Sequence, residues 1–88
     1  MNKSLKFYSE WCGPCKAMGK ALETLKNVTI QEVDIEDEDN TSLIEEWKIR
    51  TIPTIVILDE DNTCLAEFKG AVPLSKIQEV LDGNSINN

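Results

Sequence analysis

The sequence predicts an α/β fold, with a mixed four-stranded sheet flanked by three helices in the order βαβαββα. Short β-prone runs alternate with runs whose apolar residues recur at helical spacing. The last two β-prone runs are joined by a polar turn, which is typical of a hairpin. With 88 residues the chain has room for one hydrophobic core. We therefore expect a single domain over residues 1–88.

The first half of the chain contains a predicted strand, helix and strand. Residues 4–8 (SLKFY) are β-prone and lead into the turn-like sequence EWCGPC. From Cys12 to about Lys26 apolar residues recur at helical spacing, with Pro14 in the first turn, where proline is tolerated. Residues 28–36 (VTIQEVDIE) alternate imperfectly, as in a strand that is bulged or buried on both faces. A right-handed crossover would make this strand parallel to the first.

The second half contains a predicted helix, a hairpin and a final helix. Residues 36–49 combine an acidic turn, candidate N-caps at Asn40 or Thr41, and an apolar stripe. A β-branched run (54–58), the turn DEDN and a second alternating run form the hairpin, and three side chains of that second run share one face: Cys64, Ala66 and Phe68. The last helix has Gly83 as its C-cap, and the tail 85–88 is expected to fray.

Charge and composition exclude several classes of function. The chain has no histidine, which removes histidine bases and histidine metal ligands. Its net charge is −7 and its nine basic residues are scattered, which argues against nucleic-acid binding. No apolar run is long enough to span a membrane, and the first residues reach charge and a cysteine pair too early for a signal peptide. We therefore expect a cytoplasmic protein that binds neither nucleic acid nor membrane.

Two of the three cysteines, Cys12 and Cys15, lie three residues apart at the predicted start of helix one. Unpaired N–H groups and the helix dipole stabilise a thiolate at that position. Cys12, at the very start, is the predicted exposed nucleophile, and Cys15 is the predicted resolving thiol that releases a bound partner. Such a pair is also half of many zinc sites, but zinc needs about four ligands and only one further cysteine is present. We expect a redox pair and no bound metal.

The residues WCGPCK (11–16) match the active-site motif of the thioredoxin family without a mismatch. IRTIPT (49–54) resembles the family's loop with a cis-proline, and Gly70 and Ala71 resemble its glycine after the last strand. The resemblance covers nearly the whole chain and lacks only the extra N-terminal strand and helix of full-length thioredoxins. It implies that Pro53 is cis and that the backbone of Ile52 pairs with an extended substrate segment.

By the same resemblance the substrate-binding surface includes the residues around the motif and the two loops. These are Trp11, Gly13, Pro14, Ile52, Pro53, Gly70 and Ala71. Trp11 would lie beside the disulfide as part of the docking surface. The Gly13-Pro14 pair implies a place at the reducing end of the family.

The chain departs from the family pattern at three places. The family's buried aspartate aligns with Lys6, and a neighbouring lysine aligns with Glu32, so this pair is charge-swapped. We predict an ion pair that assists proton transfer at the cysteines; alternatively, Lys6 extends to solvent. Lys20 replaces a kinking proline, which predicts a straighter helix or a bend at Gly19. Tyr8 stands where the family usually has tryptophan.

Two further features have plain structural interpretations. Cys64 shares the inward face of its predicted strand, so we expect a buried core thiol. The acidic run 36–39 is predicted to be a solvated turn before helix two.

The function implied by the resemblance is reduction of protein disulfides, recharged by a separate thioredoxin reductase. No bound cofactor is expected, and a monomer is expected. Two alternatives stay open at this point: a glutaredoxin recharged by glutathione, and a thioredoxin-fold binding subunit in which redox chemistry is dispensable.

Overall fold

The structure is a computed structural model, and it describes residues 2–83. It contains four strands, which are β1 (Asn2–Tyr8), β2 (Val28–Asp34), β3 (Thr54–Leu58) and β4 (Cys64–Lys69). The α-helices are α1 (Gly13–Leu22), α2 (Thr41–Glu46) and α3 (Leu74–Leu81). A short 3-10 turn, Glu38–Asn40, leads into α2. The predicted order of elements is confirmed; the expected fraying of the tail lies outside the described residues.

The four strands form one mixed sheet in the order β2-β1-β3-β4. β1 pairs with β2 in parallel, as the predicted crossover requires, and β3 pairs with both β1 and β4 in antiparallel fashion. The register aligns Phe7 of β1 with Thr54 of β3, and Thr54 with Lys69 of β4. Consequently the C-terminal ends of β1 and β4 and the N-terminal end of β3 lie together at one end of the sheet.

β3 is buried along its whole length, which shows that both faces of the sheet are covered at this central strand. Alternate residues of β3 point to opposite faces and enter two separate clusters. One cluster lies under α1 and α3: Met18, Leu22, Ile55, Ile57, Ile77 and Leu81. The other contains Leu5, Phe7, Val33, Val56 and Leu58, and α2 packs against it. A central strand between two apolar layers explains the unbroken β-branched run in the sequence.

Several element bounds differ from the predicted ones. α1 ends at Leu22 instead of about Lys26, and the chain reverses at Asn27, whose φ is 66°. β2 ends at Asp34 because its carboxylate accepts from the backbone N–H of Glu36 at 2.9 Å and turns the chain. β2 has a regular register, and as an edge strand it exposes Thr29, Gln31 and Glu32, so the expected bulge or two-sided burial is wrong.

The expectation that Cys64 is a buried core thiol is also wrong, because Cys64 is exposed. The β3–β4 pairing shifts between Ile57, which faces Ala66, and Leu58, which faces Cys64. The extra residue in β4 is Leu65. A bulge of this kind changes which face each preceding side chain occupies. Phe68, beyond the bulge, does pack on the core under α1 and α3.

Asn40 takes the N-cap position of α2 without a side-chain capping bond; its amide donates to Asp34 O at 2.9 Å instead. Gly83 follows α3 with a φ of 82°, as a helix-ending glycine does. The acidic run 36–39 is exposed, as predicted. α1 continues as a helix through Gly19 and Lys20.

Candidate active site

Cys12 and Cys15 form a disulfide at the first turn of α1, with their Cα atoms 5.2 Å apart. Cys12 is the N-cap residue, in an extended conformation, and Pro14 lies in the first turn. The backbone N–H of Cys15 donates to Cys12 Sγ at 3.2 Å. A hydrogen bond from this otherwise unpaired N–H, together with the helix dipole, stabilises negative charge on the Cys12 sulfur. The local structure therefore favours a thiolate at Cys12 when the disulfide opens.

The two cysteines differ in exposure. Cys12 is 8% exposed, which is less than expected for the predicted exposed nucleophile, whereas Cys15 is only 1% exposed. Trp11, next to Cys12 in the chain, is 70% exposed, and its indole N–H donates to Glu36 Oε1 at 3.2 Å. Gly13 and Pro14 are exposed as well. An incoming disulfide thus meets Cys12 before Cys15, on a surface that also presents a large aromatic ring.

Two loops lie near the cysteines at the same end of the sheet. One carries the Ile52–Pro53 peptide bond, which is cis as the resemblance implies. The other follows β4, where the backbone N–H of Gly70 donates to Pro53 O at 2.8 Å. Gly70 has a φ of 78°, a conformation that favours glycine. The sheet register therefore places Ile52, Pro53, Gly70 and Ala71 at the end of the sheet where β1 leads into the segment with Cys12.

Lys6 and Glu32 form the predicted ion pair, with Lys6 Nζ 3.4 Å from Glu32 Oε1. They face each other directly across the β1–β2 ladder. The side chain of Lys6 is 6% exposed, so the alternative that Lys6 extends to solvent is wrong; that of Glu32 is 57% exposed. The pair thus consists of a buried cation and a solvated anion. The Lys6 ammonium also lies 5.0 Å from the centre of the Tyr8 ring, within the range of a cation–π contact.

A cavity of about 410 Å³ lies beside Cys15. Its lining consists of Lys6, Tyr8, Ser9, Glu10, Cys15 and Lys16. The hydroxyl of Ser9 is buried and makes no hydrogen bond to any residue between 2 and 83. Glu32 lines a different cavity, along α1, which shares Lys6 and Lys16 with the cavity beside Cys15. The structure therefore brings Lys6, but not Glu32, to the resolving thiol.

The surroundings of Tyr8 disfavour the ionised, phenolate form of its side chain. Partial burial raises the pKa of Tyr8 above its usual 10.0, and the nearby carboxylates add to this shift. In decreasing order of effect those carboxylates are Asp34, Glu32, Glu10 and Asp37.

Within residues 2–83, no group of three or more cysteine, aspartate or glutamate side chains is arranged to hold a metal ion. In the same part of the chain no helix is long and apolar enough to cross a membrane.

The thioredoxin family model matches residues 3–83. The chain belongs to the thioredoxin family. Thioredoxin f from spinach chloroplast is 33% identical, with a TM-score of 0.74, over 94% of this chain and 75% of the spinach chain. The germline-specific thioredoxin Deadhead of Drosophila melanogaster is 31% identical, with a TM-score of 0.77, over 93% of this chain and 79% of that one.

A mitochondrial thioredoxin of Saccharomyces cerevisiae is 25% identical, with a TM-score of 0.71, over 92% of this chain and 77% of that one. No curated protein sequence gives a significant match. The thioredoxin fold and the Cys12–Cys15 disulfide together make the chain a thiol-disulfide oxidoreductase by type.

Sequence reasoning missed three residues that shape this thioredoxin site. Gly19 lies against Lys6, since a Cβ atom added at Gly19 would come within 2.6 Å of Lys6 Nζ. A glycine inside a helix costs about 1 kcal/mol relative to alanine, and this cost is a signal that the position needs space. Glu36 had no comparable signal, because its contact with Trp11 joins distant segments, and nothing in the sequence marks the buried hydroxyl of Ser9.

Proposed function

We propose that this thioredoxin reduces disulfide bonds of client proteins, with Cys12 as nucleophile and Cys15 as resolving thiol. The Cys12 thiolate attacks one client sulfur and forms a mixed disulfide, while the other client sulfur leaves as a thiolate and takes a proton from water. Cys15 then attacks Cys12 Sγ, which closes the Cys12–Cys15 disulfide and releases the second client thiol. The client gains two electrons and two protons, and the thioredoxin dithiol loses them.

The observation that carries this proposal is the position of Cys12 at the N-cap of α1. Its sulfur accepts the backbone N–H of Cys15 at 3.2 Å and keeps the larger exposed fraction of the pair. A stabilised and accessible sulfur is what the attacking thiol needs. A buried second sulfur, one helical turn further, is protected from solvent but within reach of the mixed disulfide. The geometry therefore supports different roles for the two cysteines.

Client recognition is proposed to use the surface around Cys12. Trp11 contributes an exposed aromatic ring, and Gly13 and Pro14 leave the approach to Cys12 open. Within residues 2–83 the backbone of Ile52 makes no hydrogen bond, which leaves it able to pair with an extended client segment as an added strand. Pro53, Gly70 and Ala71 complete this client-binding surface. The Gly70–Pro53 hydrogen bond holds the two loops together.

Electrons are proposed to come from a separate thioredoxin reductase. The test is reduction of a protein disulfide such as that of insulin, with NADPH and thioredoxin reductase in one reaction and glutathione with its reductase in another. We expect turnover with the first source and little with the second. The Cys12→Ser variant should lose turnover with both, and the Cys64→Ser variant should keep it. Turnover with glutathione alone would favour the glutaredoxin alternative.

The binding-subunit alternative makes a different prediction. If redox chemistry is dispensable, a double variant with Cys12→Ser and Cys15→Ser keeps the cellular activity of the protein. Loss of that activity together with retained folding, measured by circular dichroism, supports the reductase proposal. A cytoplasmic, monomeric protein remains our expectation, to be checked by cell fractionation and by light scattering.

A further inference from the structure

Lys6 is the only charged side chain that is buried among residues 2–83. Burying an isolated charge is unfavourable unless other groups stabilise it. Lys6 has two stabilising contacts, the Glu32 carboxylate at 3.4 Å and the face of the Tyr8 ring at 5.0 Å. Gly19 provides the space for the ammonium group against α1. These two contacts, together with the space left by Gly19, hold a positive charge under the first two turns of the helix.

That place is adjacent to the resolving cysteine. Gly19 lies four residues after Cys15, so the two share one face of α1, one turn apart. Lys6 and Cys15 also line the same cavity. Both residues are almost fully buried, with Lys6 4% and Cys15 1% exposed, and the charge of Lys6 therefore acts on the Cys15 sulfur with less screening than a surface charge would. The Glu32 carboxylate is solvated, so water weakens its opposing field.

We propose that Lys6 is a positioning residue that stabilises the thiolate of Cys15 and so replaces base-assisted deprotonation by a fixed positive charge. This inference rests on the proposed function, because the thiolate matters only if Cys15 resolves a mixed disulfide. The Cys15 proton leaves to solvent, the Cys15–Cys12 bond forms, and the Cys12–client bond breaks with its electron pair on the client sulfur. That sulfur takes up a proton from water, so no proton acceptor is needed in the cavity.

Other charges near Lys6 do not supply this effect. The groups that face it from β1, the β1–α1 turn, α1 and β2 are Tyr8, Glu10, Cys15, Lys16, Lys20, Glu23 and Glu32. All the lysines and glutamates in this set are exposed. Tyr8 is uncharged at neutral pH, since its pKa is raised. Among the charged groups that line the cavity beside Cys15, Lys6 is therefore the one that is buried and least screened by water.

The first test measures the ionisation of Cys15 alone. In a Cys12→Ser, Cys64→Ser background Cys15 is the single thiol, and the ultraviolet absorbance of the thiolate gives its pH midpoint. We expect Lys6→Met to raise that midpoint by about one pH unit, a tenfold change in thiolate fraction or about 1.4 kcal/mol. Lys26→Met is the matched control: it removes the same charge from an exposed site near the opposite end of the sheet, and should leave the midpoint unchanged.

A second variant keeps the test decisive if Lys6→Met fails to fold. Gly19→Ala retains the Lys6 charge but places a Cβ atom where the ammonium lies, so the flexible end of Lys6 must move. We expect the Cys15 midpoint to rise here too, by less than in Lys6→Met. Equal midpoints in Lys6→Met and Lys26→Met would overturn the proposal. An unchanged midpoint in Gly19→Ala would do so as well.

The kinetic test follows resolution without a client protein. Cys12 is first joined to a coloured aromatic thiol, in a Cys64→Ser background, and release of that thiol reports attack by Cys15. A thiol with a higher midpoint is also more nucleophilic once ionised, which offsets part of the loss. We therefore expect Lys6→Met to slow release about threefold at neutral pH and to recover at high pH. A rate equal to that of Lys26→Met at every pH counts against the proposal.

Glu32→Gln separates this proposal from a direct proton-accepting role of Glu32. The glutamine keeps an acceptor for Lys6 and removes the opposing negative charge, so the Cys15 midpoint should fall or stay constant and release should not slow. Slower release would instead assign Glu32 as the proton acceptor and overturn the proposal. All these readouts use a small thiol or no partner. Failure of the inference is therefore distinguishable from failure of client reduction in the insulin assay.

Discussion

The ammonium group of Lys6 occupies the space that a side chain at residue 19 would need, because a Cβ atom on Gly19 would lie 2.6 Å from Lys6 Nζ. A buried lysine on β1 and a glycine on α1 are thus fitted to each other, although they are thirteen positions apart. Lys6 Cε is 3.7 Å from the same Cβ position, an ordinary contact distance. The conflict therefore involves the charged end of the side chain alone.

This fit predicts energetic coupling between residues 6 and 19. In the Lys6→Met background Gly19→Ala should stabilise the fold by about 0.5 to 1 kcal/mol, because alanine favours the helix and methionine ends near the position of Lys6 Cε. In the wild-type background the same change should give little or no stabilisation, because Lys6 must move away from Glu32. Urea unfolding of the wild type, Lys6→Met, Gly19→Ala and the double variant measures the coupling free energy, which we expect to be about 0.5 to 1 kcal/mol.

Gly13→Ala is the control for this double-mutant cycle. A Cβ atom at Gly13 meets no atom within 4 Å, so its effect on the free energy of unfolding should be the same with lysine or methionine at residue 6. Additive effects of Gly19→Ala and Lys6→Met would show that the close approach carries no energy.

The different roles of the two cysteines predict an asymmetry in trapping. In a Cys64→Ser background, Cys15→Ser should accumulate mixed disulfides with client proteins, because Cys12 attacks and nothing resolves the product. Cys12→Ser should trap few clients, since Cys15 is only 1% exposed. Non-reducing gels of cell extracts measure both. The background change is needed because the exposed thiol of Cys64 can itself form mixed disulfides. Equal trapping by the two variants would contradict the assigned roles.

The central elements of the fold could be predicted because their signals are local. The run 54–58 is β-branched throughout and became β3, buried along its whole length. Pro14 after Cys12 marks the first turn of α1. The motif WCGPCK and the loop around Pro53 are likewise readable in short windows of sequence. Each of these features depends on neighbours in the chain, which the sequence displays directly.

The errors occurred where long-range pairing decides the outcome. Simple alternation places Cys64 on the core face, but the bulge at Leu65 depends on how β4 pairs with β3. The unequal burial of Lys6 and Glu32 depends on β2 lying at the edge of the sheet, which the strand order determines. The contact of Gly19 with Lys6 and that of Trp11 with Glu36 join segments far apart in sequence.

The two tryptophans are expected to have different roles, Trp11 in client binding and Trp47 in the stability of the fold. Trp11→Ala should change the free energy of unfolding by no more than about 0.5 kcal/mol, since most of its ring is in solvent and its bond to Glu36 is exposed. Trp47→Ala should cost about 2 kcal/mol or more, because Trp47 packs on the core beneath α2. In insulin reduction Trp11→Ala should raise KM with little change in kcat. Urea unfolding and steady-state kinetics of both variants check this, and a large stability loss in Trp11→Ala would contradict it.

Tyr8 is expected to make stability fall at alkaline pH. Its folded pKa is raised, first by burial and then by Asp34 and other carboxylates, above the value near 10.0 of an unfolded tyrosine. Below that value both states keep the proton, and the contribution to stability is fully present. As the pH rises through the unfolded and then the folded pKa, the unfolded state loses its proton first and is favoured, so stability declines. Tyr8 is the only tyrosine in the chain, so its absorbance gives the folded titration directly.

The matched variant for this pH dependence is Tyr8→Phe, which keeps the ring under Lys6 and removes the ionisable hydroxyl. Lysines and thiols also titrate at alkaline pH, so the informative quantity is the difference between wild type and Tyr8→Phe. That difference in the free energy of unfolding should be constant below about pH 9 and should shift in favour of Tyr8→Phe above it. A difference that stays constant up to the folded titration midpoint would show that the carboxylates and burial around Tyr8 do not disfavour its phenolate.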